Sequence, residues 1–219
     1  MHNMPSKRRL LQALAAASAL LAAPASALAA GGGIFFDAFT SFGRVDDASL
    51  HVIPMTTEPD PLKERNLRLY GGGNFYGGGM HGVIYGKDVR GGLGLGVFGA
   101  DGIELRHDAL PQGISTSLAR VWGVSIDVFV GRELLKGPVY PYVDLRATFD
   151  VLQAGVVMSH PDYGALGETL YNAYSFGVGP RLGVQIPLSE PWALNFSGYY
   201  GLFGAQQMTI VASIGGRDR

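Results

Sequence analysis

Histidines, serines and carboxylates are the residues of this chain from which a catalytic or metal site would be built. The histidines beyond residue 30 are His51, His81, His107 and His160. The nearest approach to a nucleophile, base and acid grouping is His107-Asp108 with Ser115 or Ser117. These residues fall in or beside a loop by composition, where polar side chains are common, and the histidines lack metal-ligand spacing. The sequence therefore predicts no enzyme, no metal site and no cofactor.

A more informative set of charges alternates with apolar residues. The stretch Val139 to Leu152 reads VYPYVDLRATFDVL. Its apolar positions are Val143, Leu145, Ala147, Phe149 and Val151. The positions between them are Asp144, Arg146, Thr148 and Asp150. A period of two indicates a β-strand whose two faces meet different media.

The same alternation recurs along the chain and predicts eight strands. They span about 34–45, 65–86, 91–107, 117–134, 138–158, 171–187, 191–202 and 206–215. Long loops at 46–64, 107–116 and 159–170 take turns with short links at 87–90, 134–138 and 187–191. Turns at Gly77–Gly79 and Ala100–Gly102 would give ten strands, but one of them would hold only about five residues, too few to span a membrane.

Two glycine-rich stretches resemble nucleotide-binding loops. The first is GGGNFYGGG, from Gly71 to Gly79, and the second is the GLGLG that begins at Gly92. No Lys or Ser/Thr follows the first at P-loop spacing, and strand alternation continues through the second without a βαβ unit. We interpret both as glycines that let a sheet curve into a small barrel.

The first thirty residues are predicted to be a cleaved signal peptide, and residues 31–219 a single barrel domain. Lys7, Arg8 and Arg9 precede an apolar run that ends in small residues suited to cleavage. Without this segment the chain carries 14 Lys+Arg and 18 Asp+Glu, a net charge of −4. This balance does not indicate a nucleic-acid partner. With no cysteine in the chain, lipoprotein processing is excluded.

Exported chains with alternating strands form either a soluble barrel with the apolar face inward or a membrane barrel with it outward. Aromatic residues near the predicted strand ends favour the membrane barrel, since such residues line bilayer interfaces. They are Trp122, Tyr140, Tyr142, Tyr174, Trp192, Tyr199 and Tyr200. The alternating loop lengths also match short periplasmic turns and longer outer loops. The prediction is an all-β, eight-stranded antiparallel up-and-down transmembrane β-barrel.

A charged lumen follows from that architecture. Its predicted members are Arg68, Glu104, Arg106, Asp127, Glu133, Asp144, Arg146, Asp150 and Arg181. A narrow eight-stranded interior must be filled by side chains, and opposite charges can fill it while pairing with one another. We interpret the set as a structural ion-pair network, with a narrow polar path as the functional alternative.

The segments YPYVDLRATFDVL and FGVGPRLGVQIPLSEPWALNFSGYYGLFG, together with the signal peptide, resemble small outer-membrane β-barrel proteins of Gram-negative bacteria. That group includes the outer membrane protein A and outer membrane protein W families, and no motif assigns a subfamily. The resemblance implies a location in the cell outer membrane, with membrane lipid and the barrel assembly machinery as partners. For the outer membrane protein W group it implies passage of small hydrophobic solutes.

We therefore expect a monomeric outer-membrane barrel with a largely plugged, charged lumen. Its role would be structural, surface interaction or passage of small solutes. Two alternatives stay open on the sequence alone: a lipid-modifying outer-membrane enzyme and a soluble periplasmic ligand-binding barrel.

Overall fold

The computed structural model describes residues 31–49, 51–52, 67–87, 89–107, 110, 112–135, 137–204 and 207–217. The predicted signal peptide lies outside these residues. The strands are β1 (Gly32–Ser49), β2 (His51–Val52), β3 (Arg68–Tyr85), β4 (Arg90–Asp101), β5 (Glu104–Arg106), β6 (Ser115–Glu133), β7 (Tyr140–His160), β8 (Gly164–Ser189), β9 (Trp192–Tyr200), β10 (Phe203–Gly204) and β11 (Gln207–Arg217). No helix among the described residues is long and apolar enough to cross a membrane.

The strands close into a ring of antiparallel neighbours. The order is β1, β3, β4, β6, β7, β8, β9 and β11, and β11 pairs again with β1. The short β5 continues the β4 strand along β3. In the described residues the ring therefore has eight members, and the predicted eight-stranded barrel is confirmed.

The ten-strand alternative fails at both of its proposed turns. Gly77–Gly79 lie inside β3 and pair continuously with β1. At Gly102 the chain makes a bulge, because three residues of β3 face two on the other strand between the pairs Tyr70–Glu104 and Asn74–Asp101. Gly71 and Gly102 occupy positive φ values of 114° and 78° there, a conformation that glycine adopts without strain.

The predicted loop at 159–170 was wrong. Strand β7 continues to His160 and β8 begins at Gly164, with the pair His160–Gly164 closing the hairpin. Gly164 and Gly167 have φ values of 70° and 154°, so glycine permits the tight turn and the irregular pairing that follows it. The strands β6, β7 and β8 thus extend together well beyond their neighbours.

The barrel exterior is apolar. Large side chains exposed on it include Ile34, Phe36, Leu93, Leu95, Val97, Ile126, Leu145, Phe149, Leu182, Phe196, Ile210 and Ile214. In β9, exposed Trp192 and Tyr200 are the two ends of a nine-residue strand, about the 9 to 11 residues that a membrane strand needs. Trp122 and Tyr174 are exposed as well. These four match the predicted aromatic girdles.

Three other aromatic residues do not belong to the girdles. Tyr140, Tyr142 and Tyr199 are 7%, 1% and 2% exposed and point into the barrel, so their assignment to the bilayer interface was wrong. They share the inward phase of Asp144 and Asn195 on their strands. The Tyr142 hydroxyl donates to the Asn195 side chain inside the barrel, whereas at a bilayer interface it would be hydrated.

Candidate functional site

The lumen is the part of this barrel where chemically active side chains gather. Short turns connect the strands at one end of the barrel, at 86–89, 134–139 and 190–191. In outer-membrane barrels such turns face the periplasm, which makes the end carrying the β7–β8 hairpin the outer one. The lumen contents fall into three layers from the periplasmic end to the outer end.

The periplasmic layer is the arginine cluster, formed by Arg90, Asp144 and Arg181. Asp144 is fully buried, and its Oδ2 accepts hydrogen bonds from Nε of Arg181 at 3.0 Å and from Nη2 of the same residue. Nε of Arg90 lies 3.4 Å from Asp144 Oδ1. Two cations therefore share one carboxylate, and both guanidinium groups are almost completely buried.

Aromatic rings cover the two guanidinium groups. Arg90 lies 3.6 Å from the centroid of Tyr142, and Arg181 lies 3.9 Å from the centroid of Phe129. Such cation–π contacts offset part of the cost of burying charge. The Tyr142 hydroxyl donates to Asn195 Oδ1 at 2.8 Å, so a hydrogen bond to β9 holds this ring in place.

The middle layer is the midplane cluster, formed by Asp127, Arg146, Asp150 and the pair His81–Asp37. Arg146 Nη2 donates to Asp127 Oδ2 at 2.9 Å, and Asp150 is buried on the same strand as Arg146. His81 Nδ1 lies 2.8 Å from both carboxylate oxygens of Asp37.

His81 is also enclosed by aromatic rings. It stacks on Phe35 with ring centroids 5.1 Å apart and meets Phe129 edge-on at 6.0 Å. A buried histidine held between a carboxylate and two rings has its orientation fixed. His81 therefore contributes to the packing of the lumen.

The outer layer is the apolar plug. Its buried members are Leu69, Phe75, Phe98, Val121, Leu152, Ala154 and Ala173. Phe75 and Phe98 meet edge-on at 5.8 Å, and a further cluster of Leu67, Val156 and Tyr171 lies against the same neighbours, Leu105 and Leu118. Among the side chains that the structure describes, the charged lumen residues therefore lie in the periplasmic and middle layers.

Glycines on the inner face make room for these large side chains. A Cβ at Gly94 would collide with the Asp127 carboxylate, and one at Gly131 would collide with Asp144. The same holds at Gly92, where the obstacle is the Phe129 ring. These three large inward side chains thus fill space that a glycine leaves on the neighbouring strand, which accounts for glycine at those positions.

Of the nine charges predicted for the lumen, five lie in the two charged layers. They are Asp127, Asp144, Arg146, Asp150 and Arg181. Glu133 is half-buried at the periplasmic end of β6.

Three predicted charges lie outside the lumen: Arg68, Glu104 and Arg106. Glu104 and Arg106 are exposed, and Arg106 pairs in register with Arg68, while Leu69 and Leu105 take the inward positions. The bulge at Gly102 shifts the phase between β4 and β5 by one residue, which moves Glu104 and Arg106 to the opposite face. In β3 the odd positions face inward throughout, so Arg68 lies on the outer face. Arg106 instead lies over the Tyr70 ring at 3.4 Å.

Sequence reasoning missed Arg90 and His81 as lumen residues. Arg90 was assigned to a polar turn, yet it is the first residue of β4 and 2% exposed. It lies in phase with the inward Gly92 and Gly94, so extending the alternation by one repeat would have found it. His81 shares the inward phase of Val83 and Tyr85.

The grouping considered for catalysis lies at the outer end of the barrel. His107 is exposed, Asp108 is outside the described residues, and Ser115 and Ser117 are exposed on β6. The Ser115 hydroxyl donates to the Ser159 carbonyl at 3.4 Å. Among the described residues, no three His, Asp or Glu side chains are placed to hold a metal ion.

Comparison with known proteins gives weak likenesses to solved structures, while no family model and no curated protein matches the chain. Ail, the attachment invasion locus protein of Yersinia pestis, is 12% identical over 86% of this chain and 99% of its own, with a TM-score of 0.45. Neisserial surface protein A is 12% identical over 84% of this chain and 95% of its own, with a TM-score of 0.41. The translocator domain of the autotransporter NalP from Neisseria meningitidis is 8% identical over 96% of this chain and 97% of its own, with a TM-score of 0.27.

The closed ring of strands and its apolar outer surface identify the architecture as a membrane barrel. A closed antiparallel ring satisfies every interior backbone group and is the form in which β-strands span a bilayer. An apolar exterior around a filled interior is the arrangement of small barrels of the Gram-negative outer membrane. The predicted membrane barrel and its outer-membrane location are confirmed, and the soluble alternative does not fit the apolar exterior.

Proposed function

We propose that this protein is a closed, non-conducting outer-membrane barrel that supports a rigid β-structure on the outer side of the membrane. The observation that carries this proposal is the apolar plug. Seven buried apolar side chains fill the outer part of the lumen, and a continuous polar path for a small solute would have to pass through them. Hydrophobic constrictions of this kind stop ions by excluding water.

The β-structure beyond the membrane supports the second half of the proposal. Trp122 and Tyr174 mark the outer interface, and β7 continues from Gln153 to His160, about 25 Å of strand. β6 and β8 accompany it throughout. Its tip exposes Tyr163 and Leu166, which are 78% and 51% accessible. Exposed apolar groups on an otherwise paired sheet favour a surface-interaction role.

A polar path for solutes and a lipid-modifying enzyme are the competing functions. The first would require an opening in the plug, and the second would require a nucleophile and base within hydrogen-bond reach. His81 and Asp37 are within such reach of one another, but they lie inside the barrel, away from lipid substrates. The geometry favours the structural and surface role over both.

Conductance across planar lipid bilayers tests the closed barrel. We expect no steady single-channel steps from the native protein. A variant with Phe75→Ala, Phe98→Ala and Leu152→Ala hollows the plug and should conduct. The matched control, Leu93→Ala with Leu95→Ala, truncates lipid-facing residues and should stay silent. Steady conductance by the native protein would contradict the proposal.

A further inference from the structure

A shallow groove of about 700 Å³ lies near the periplasmic end of the barrel exterior. It runs across β6, β7 and β8 beside the turn between β3 and β4. Its lining residues are Val89, Val130, Gly131, Arg132, Val143, Asp144, Leu145 and Pro180.

The groove faces the hydrocarbon region of the membrane. Val130, Leu145 and Pro180 are direct partners across the three strands, and the outward Leu145 is 53% exposed. Gly131 and Asp144 turn their side-chain positions inward, so only their backbone forms the floor. An apolar depression on this face can be filled only by an acyl chain or left as a void in the lipid packing.

One cation stands at the edge of this groove. Arg132 is exposed on β6, one residue from its periplasmic end, and pairs across the sheet with apolar Val143. Within the described part of the chain, Arg132 forms no ion pair. A guanidinium placed at the level of the headgroups attracts phosphate, and basic residues beside grooves in membrane proteins bind lipid headgroups in this way.

We propose that the groove binds one phospholipid of the periplasmic leaflet, with an acyl chain along Val130, Val143 and Pro180 and its phosphate on Arg132. The apolar lining and Arg132, the one cation among the described lining residues, match the two parts of such a lipid. The site is independent of the lumen and of the outer hairpin, so it adds a specific lipid partner to the barrel.

Native mass spectrometry of the delipidated, refolded barrel tests this site with two probes. They are phosphatidylglycerol and a diacylglycerol that carries the same acyl chains but no phosphate. We expect the native protein to bind phosphatidylglycerol about fivefold more tightly than diacylglycerol, the factor that one cation near the headgroups provides. Arg132→Gln should remove this preference, and Val143→Trp, which fills the groove, should weaken the binding of both probes.

The control is Arg106→Gln, which removes an exposed cation at the outer end and should leave both affinities unchanged. All three substitutions lie on the exterior, and heat-modifiable gel mobility checks that each variant folds. Equal binding of the two probes by the native protein would overturn the proposal. The same loss in the Arg106→Gln variant as in the Arg132→Gln variant would also overturn it, because the phosphate would then bind without regard to the groove.

Discussion

Replacement of Asp144 by alanine should destabilise the barrel more than any single change to the arginines that surround it. Asp144 is the shared partner of Arg90 and Arg181, and its side chain is fully buried. The substitution leaves two buried cations without a carboxylate. Removing one partner of a buried ion pair costs about 3 to 5 kcal/mol, and with two cations affected the upper part of that range is expected. The free energy of unfolding in urea, measured in phospholipid vesicles by Trp122 and Trp192 fluorescence, gives the value.

The control variant is Arg90→Met, which removes one of the two cations that share Asp144. Arg90→Met leaves the pair Asp144–Arg181 intact and loses mainly the stacking on Tyr142, a contact worth about 1 to 2 kcal/mol when desolvated. The double variant Asp144→Ala with Arg90→Met removes one of the stranded cations and should be more stable than Asp144→Ala alone. If Arg90→Met costs as much as Asp144→Ala, or if the two losses simply add, charge imbalance is not what stabilises this layer.

Two further predictions concern packing and orientation. Gly215→Ala should lower the free energy of unfolding by about 1 to 3 kcal/mol, because the added Cβ would collide with the Ile34 carbonyl oxygen. The control is Gly198→Ala, where the space around the added Cβ is open. This variant should unfold at the same urea midpoint as the native protein. The chain has no cysteine, so single cysteines can report the orientation. Leu166→Cys should react with a membrane-impermeant maleimide on intact cells, and Leu135→Cys should react only after permeabilisation. The reverse pattern would show that the barrel has the opposite orientation in the membrane.

Strand number and the lipid-facing surface could be predicted because alternation is a local property. In β7, Leu145 and Phe149 are 53% and 42% exposed while Asp144 and Asp150 are buried, as the period of two requires. Pairing between neighbouring strands then follows from chain order, since an up-and-down barrel joins consecutive strands by short connections.

The lumen was harder to predict because it depends on phase over a whole strand. A single bulge at Gly102 reverses the faces of Glu104 and Arg106, and nothing in the local composition distinguishes a bulged glycine from the other glycines nearby. Tyrosine adds a second ambiguity. Tyr142 has both an apolar ring and a hydroxyl, so it suits a bilayer interface and a polar interior equally well, and only its phase with Asp144 separates them.

The balance of charges within the lumen bears directly on conduction. The two charged layers contain three arginines and three aspartates apart from the pair His81–Asp37. They are Arg90, Arg146, Arg181, Asp127, Asp144 and Asp150. Selective pores carry rings of one sign, because an excess of charge draws the permeating ion into the constriction. The arginine cluster has two arginines and one aspartate, and the neighbouring midplane cluster has two aspartates and one arginine. The net charges of the two layers therefore cancel. A permeating ion of either sign would have to displace an existing partner. This balance supports our proposal of a closed barrel, in which the charged residues act as packing together with the apolar plug above them.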